Sequence, residues 1–368
     1  MPDIRRCVVV GAGLLGLSAA RSLSRRGWSV CVLEAAGGIG HSRAGSKGTA
    51  RIFRLGYPDP LYVEMALAAR DLWRTLEHES GQRLLHETGQ LTLGDDAALA
   101  AIRNALTAHG ARCDELTAEE ARTRYPGIAA TAAALVEPDS AVLAADEALR
   151  ALYVTADAEV RTGTRVTGLD DAGDGVRVTT GDGELRADIV VACAGPDTIG
   201  LLRPAAPRVA AQTPSLPQVA YFRYAAHQPC EIPVFIEWGD EMIYGLPVPD
   251  TRDVVKVSHH APGPALEQYD PSGTTPFPDD PALLASLVRA VRRLLPALDP
   301  EPVAAERCVY DNSIDSDFIL DRVGNVVIGC GTSGHGFKFG PLLGELLADL
   351  AEGTRPAVDL TRFRLARQ

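Results

Sequence analysis

Three glycines and one acid carry the first chemical signal. Gly11, Gly13 and Gly16 stand in the spacing G-x-G-x-x-G, with Leu15 inside the turn, between the apolar run Val8–Val10 and a stretch of helical spacing through Ala20 and Leu23. Gly11 permits a tight turn, Gly13 lets a pyrophosphate approach the backbone, and Gly16 lets helix and strand pack closely. The helix N-terminus offers N–H groups and partial positive charge to phosphates. Gly27 closes the helix, Val30–Leu33 reads as a second strand, and Glu34 ends it, eighteen residues past Gly16, placed to accept hydrogen bonds from a ribose 2′-OH. The unit specifies a dinucleotide, leaves NAD and FAD both open, and names no substrate.

A second signal lies in the cations. Of 36 basic residues, lysine occurs only at Lys47, Lys256 and Lys338; the other 33 are arginine. Lysine supplies a compact point charge and an amine whose pKa can fall on burial, neither of which arginine gives. Chance would scatter three unrelated lysines over the surface. Lys256 lies on the strand face opposite Val255 and Val257, so alternation alone leaves its burial open. Arg51 and Arg54, three apart, share one face if their segment is helical.

The elements that must hold these groups can be read along the chain. At 368 residues two domains are expected. Helices are expected at Leu61–Leu76, Asp96–His109, Glu147–Tyr153, Pro281–Leu295 and Leu342–Leu350, with Thr117 and Glu120 as a capping box ahead of Pro126. Residues 83–94 and 134–144 read as extended. Residues 158–193 form short strands that return to the nucleotide-binding sheet before Gly195. Residues 203–217 are dense in proline and turn residues and read as a domain crossing. Four strands between 218 and 260 suggest an antiparallel, half-buried sheet. The expected fold is α/β with α+β character: a Rossmann-like dinucleotide domain (1–80, 143–212, 305–368) interleaved with an antiparallel-sheet substrate domain (81–142, 213–304).

The net charge of −12 argues against nucleic acid or an anionic membrane as partner. No apolar run reaches the ~18 residues of a membrane span. The first strand begins within about seven residues, which leaves no room for a signal peptide, and the final Leu-Ala-Arg-Gln is no peroxisomal or ER address. Of seven cysteines, Cys7, Cys31, Cys193 and Cys330 sit in apolar runs and none forms a C-x-x-C pair. A reduced, cytoplasmic enzyme without a metal site is expected.

The glycine fingerprint, Ala50–Tyr57 (ARIFRLGY), the VVKVSHH strand, Arg307–Asp311 (RCVYD) and the GTSGHGFKFGP segment occur in an order that resembles the monomeric sarcosine oxidase family, which includes N-methyltryptophan and pipecolate oxidases among D-amino-acid-oxidase-like FAD enzymes. The resemblance covers essentially the whole chain. It implies FAD, bound by Gly11, Gly13, Leu15, Gly16, Glu34, Lys47, Arg51, Val160, Gly195, Gly334, His335, Gly336 and Lys338, with Cys308 bonded to the flavin 8α-methyl and Arg307 beside it to lower the thiol pKa. Arg54 and Lys338 match a cationic pair for the substrate carboxylate, and Tyr244, His260 and Tyr310 match cavity residues. Lys256 matches a lysine beside flavin N5 that favours O2 reduction, an electrostatic effect. Arg51 matches an arginine over the flavin.

The chain departs from the family's usual pattern at Lys47 (histidine), Ala50 (threonine) and Asp311 (threonine). Lys47 is expected to add a cation near the ring. Asp311 is expected to meet an extra substrate amine or to bridge Arg307. The resemblance implies an oxidase of a secondary, N-methyl or cyclic amino acid that releases H2O2, acting as a monomer on a small molecule. The alternatives are a deaminating D-amino acid oxidase, a dehydrogenase feeding a quinone or carrier, a biosynthetic tailoring oxidase on a larger amine, and a non-catalytic flavin- or NAD-binding module.

Overall fold

The structure, a computed structural model, describes residues 4–202, 214–225, 232–239, 241–249, 251 and 253–366. The expected domain crossing at 203–217 lies largely outside them. β1 (Arg6–Val10) leads through the glycine turn into α1 (Leu14–Arg25), and β2 (Ser29–Leu33) returns beside β1 in parallel. Val8, Val9 and Val10 are buried, as expected for a strand covered on both faces.

β1 lies inside a six-stranded sheet. On one side it pairs with β2, which pairs with Glu159–Arg161; on the other it pairs with Ile189–Ala192, then Val326–Cys330, all parallel. Ile319–Val323 closes the edge antiparallel. The returns of residues near 190 and 326 to this sheet are as expected. Helix Gly340–Glu352 packs along α1, where a Cβ on Gly344 would collide with Ser18.

An eight-stranded sheet forms the second layer. Its order is Leu298–Arg307, Gln218–Tyr224, Val254–His259, Ile243–Pro247, Val234–Glu237, Gln90–Leu93, Ala134–Glu137, Asp114–Leu116. The four strands between 218 and 260 pair antiparallel, as expected; where the sheet extends beyond them, Val234–Glu237 runs parallel to Gln90–Leu93. That seam joins two segments distant in sequence, and no hairpin constrains their relative direction. Helix Pro281–Leu294, capped by Asp280, buries Leu287, Ala290, Val291 and Leu294 with Phe222, Phe235, Val255 and Val257.

A three-stranded sheet, Ala50–Phe53, Ala141–Ala144 and Leu85–Glu87, bridges these layers. Arg51 therefore sits in a strand and Arg54 directly follows it, not on a helix. Residues 83–94 are two strands, broken at Gly89 in left-handed conformation (φ 65°). Residues 134–144 are also two strands, Ala134–Glu137 and Ala141–Ala144. Buried Glu137 pins these crossings by accepting from Gly56 N (2.8 Å), Gln90 Nε2 (2.8 Å) and Thr92 Oγ1 (2.9 Å).

Candidate active site

One continuous cavity of about 510 Å³ runs from the glycine turn, between the layers, to Arg54 and the strands carrying Lys256 and Tyr244. At the first end, a Cβ on Gly11 (φ 98°) would strike the Cys193 carbonyl, and one on Gly16 would strike the carbonyl of Gly11. Gly13 is an extended N-cap to α1 with no side-chain hydrogen bond, so the first N–H groups of the helix stay available at the cavity wall. Glu34 is buried there; its oxygens accept from Ala12 N and Ala36 N, each at 2.8 Å. Gly195 and Leu15 also line the wall, while Gly16 packs behind it. Val160 does not line the cavity. It pairs with Val32 in the sheet, and Thr164–Thr167 provide the nearby wall.

The other end gathers side chains from distant segments. Arg51, Arg54, Tyr244, Lys256, His260, Cys308, Tyr310, Gly334, His335, Gly336 and Lys338 all line it. Arg54 is 4% exposed, with its guanidinium 4.3 Å from the Tyr57 ring centroid and 5.6 Å from that of Trp238. Its Nη1 has no hydrogen-bond partner among the described residues. Lys338 is also buried and donates to the His335 carbonyl at 2.8 Å. Burial lowers its pKa, and Arg54 pushes in the same direction. Two buried cations without an ion pair among the described residues are costly unless an anion joins them.

The nearby neutral groups are held neutral. Burial, then Arg54 and Lys338, push His260 down to about 3. Burial and Lys338 do the same to His335. Burial raises the phenols of Tyr244 and Tyr310.

Lys256 is a further buried cation lining this end. It is 2% exposed, lies 3.4 Å from the Ala50 carbonyl, and is pushed down to about 8 by burial and then by Arg51. Arg51 donates to the carbonyls of Ala50 (2.9 Å), Gly45 (3.3 Å) and Lys47. All three lysines are thus buried, and chance surface placement fails for each.

Three expectations change. Lys47 does not line the cavity or stand as a free cation: its Nζ lies 3.0 Å from Glu306, which also accepts from Tyr221 at 2.6 Å. Arg307 is committed elsewhere than to Cys308: its guanidinium donates twice to the Leu216 carbonyl (3.1 and 2.6 Å) and faces Asp280 at 3.9 Å. Asp311 does not bridge Arg307; it lines the cavity, accepts from Thr332, and burial raises its pKa.

Sequence reasoning missed Tyr57, Trp238, Tyr221 and Glu306. Tyr57, three residues past Arg54, lies in a quoted segment and Glu306 immediately precedes another, but their partners come from remote segments.

The residues present fit a flavin dinucleotide: a glycine turn that tolerates no Cβ, an uncapped helix N-terminus, a fixed buried acid, and a cationic far end. The family model described as FAD dependent oxidoreductase matches residues 6–350. The chain belongs to this family. Like its relatives, this FAD-dependent oxidoreductase spans the full fold. It is 35% identical to peroxisomal sarcosine oxidase of Homo sapiens over 99% of this chain and 96% of that protein. It is 29% identical to monomeric sarcosine oxidase of a Bacillus species, over 98% and 95%. The solved structure of NikD, an unusual amino acid oxidase essential for nikkomycin biosynthesis, superposes with a TM-score of 0.85 at 29% identity, covering 98% of this chain and 97% of that one. Among the described residues no helix is long and apolar enough to cross a membrane.

Proposed function

We propose that this FAD-dependent oxidoreductase oxidises the C–N bond of a secondary, N-methyl or cyclic amino acid to an imine and releases H2O2. The observation that carries the reading is the pair of buried cations, Arg54 and Lys338, which line one cavity together with Lys256 and have no ion pair among the described residues. The chemistry FAD would supply when bound is two-electron transfer, from a C–H next to the substrate nitrogen to O2, which with two protons becomes H2O2.

Arg54 grips the substrate carboxylate and Lys338 adds a point charge. Held there, the amine and α-carbon face the wall formed by Tyr244, His260 and Tyr310. These groups are uncharged at neutral pH, so the pocket favours the neutral amine that oxidation requires. Lys256 keeps positive charge where O2 gains negative charge. Cys308, on the cavity wall, is the attachment point for the flavin. The Gly334–Lys338 loop supports the pyrimidine side ahead of the helix from Gly340. Residues 1–80, 143–212 and 305–368 form the FAD-binding unit, and 81–142 with 213–304 the substrate unit. The protein acts as a cytoplasmic monomer. The names of its relatives support an N-methyl amino acid over a primary one.

The test is peroxide formation with sarcosine, N-methyl amino acids, proline, pipecolate and D-amino acids. Turnover of a carboxylated secondary amine with one peroxide per substrate is expected. Turnover without peroxide would replace the oxidase reading with a dehydrogenase.

A further inference from the structure

Lys256 does not stand alone in its charge. Arg51 and Lys47 add positive charge near it, Cys308 lines the same cavity, the Tyr221 ring centroid lies 5.8 Å from its Nζ, and the carboxylate of Glu306 acts on it with opposite sign. Strand register places these groups together. Tyr221 is the direct cross-strand partner of Lys256, and Glu306 is the direct partner of Val219 on the other side of the same strand. Residues 219 and 221 share a face, so Lys256, Tyr221 and Glu306 project from one face of the sheet. Glu306 is held from two sides: Lys47 Nζ lies 3.0 Å from one oxygen and the Tyr221 hydroxyl donates to the other at 2.6 Å.

We propose that Glu306, clamped by Lys47 and Tyr221, is a positioning residue that keeps Lys256 cationic at the reactive end of the cavity. The inference rests on the proposed role of Lys256, but its consequence is read on the lysine itself. A carboxylate on the same sheet face favours the ammonium form. Lys47 opposes this twice, as a nearby like charge and as a competitor for the same carboxylate. The three groups form a balance, with Glu306 drawing on Lys256 and Lys47 withholding part of that pull. Burial and Arg51 push the other way, and Lys256 titrates at about 8.

The composition makes this measurable. With only three lysines in the chain, ¹³C labelling at lysine Cε gives three side-chain signals in the FAD-loaded protein. Each is assigned by its loss in K47Q, K256M or K338M. In E306Q the Lys256 titration midpoint is expected to fall by about one pH unit or more. An unchanged or raised midpoint overturns the inference. If E306Q does not fold, E306D decides: the retracted carboxylate should lower the Lys256 midpoint, and an unchanged or raised one overturns the inference, while K47Q, which removes a like charge and frees the carboxylate, should raise it. A residue that merely fills space would not give shifts of opposite sign in E306Q and K47Q. The peroxide assay is independent of this titration, so failure of the proposed oxidase reaction and failure of the Glu306 role are told apart.

Discussion

The Arg54 guanidinium lies 4.3 Å from the centroid of the Tyr57 ring. Burial alone would raise the Tyr57 phenol, yet Lys338 and Arg54 together hold its pKa below the usual value. The ring thus supports the face of a guanidinium that lines the cavity. Tyr57→Phe should keep this support and leave KM nearly unchanged. Tyr57→Leu should raise KM by about 3- to 10-fold, the scale of a lost cation–π contact. Steady-state kinetics of both variants checks this, and equal KM increases would contradict it.

Arg54 and Lys338 should act on the carboxylate specifically. Arg54→Met and Lys338→Met are each expected to lower kcat/KM by roughly 10- to 100-fold, as loss of a charge-assisted hydrogen bond does. The decisive comparison is with the matching amine that lacks the carboxylate. That amine should be a poor substrate of the parent protein and lose little further in either variant.

Lys256 should matter for the reaction with O2. Its cationic form is the acid form, so charge is lost as pH rises through about 8. Stopped-flow reoxidation of the reduced protein should slow across that range. Lys256→Met should be slower by about 100-fold or more and lose this pH dependence. Comparable loss in reduction by substrate would remove the assignment.

Cys308 is buried and lines the same end of the cavity as Lys256. Denatured protein should keep its yellow colour and carry the added mass of one flavin, and Cys308→Ser should lose both. Intact-protein mass spectrometry reads the result directly, and an unmodified parent mass would exclude the covalent link.

Gly16 packs against the turn that Gly11 makes, with no space for a Cβ. Gly16→Ala should destabilise the protein by about 1–3 kcal/mol, the usual cost of overpacking. Thermal denaturation and FAD retention after gel filtration should both fall, and an unchanged melting curve would refute the packing argument.

Much of the site was legible before the fold was known. The glycine turn, α1, β2 and Glu34 depend on neighbours within about thirty residues, so local spacing carries them. The rarity of lysine marked three buried positions, because a surface rich in arginine leaves lysine visible. The segments around Arg54, Cys308 and Lys338 were identifiable by resemblance, and all three meet in one cavity.

What the sequence determined by itself was therefore the dinucleotide unit, the run of helices and strands, and the short list of chemical groups. What only the tertiary structure decided was how those groups are paired. Arg51 lies in a strand because Ala50–Phe53 pairs with Ala141–Ala144, some ninety residues on. Lys47 is neutralised by Glu306, 259 positions away, and Arg307 turns to Leu216 rather than to Cys308 or Asp311. The parallel seam at Val234–Glu237 likewise follows from where two distant segments meet. Such partners are set by strand register and by which buried charges must find a counter-charge, and neither leaves a local pattern in the chain.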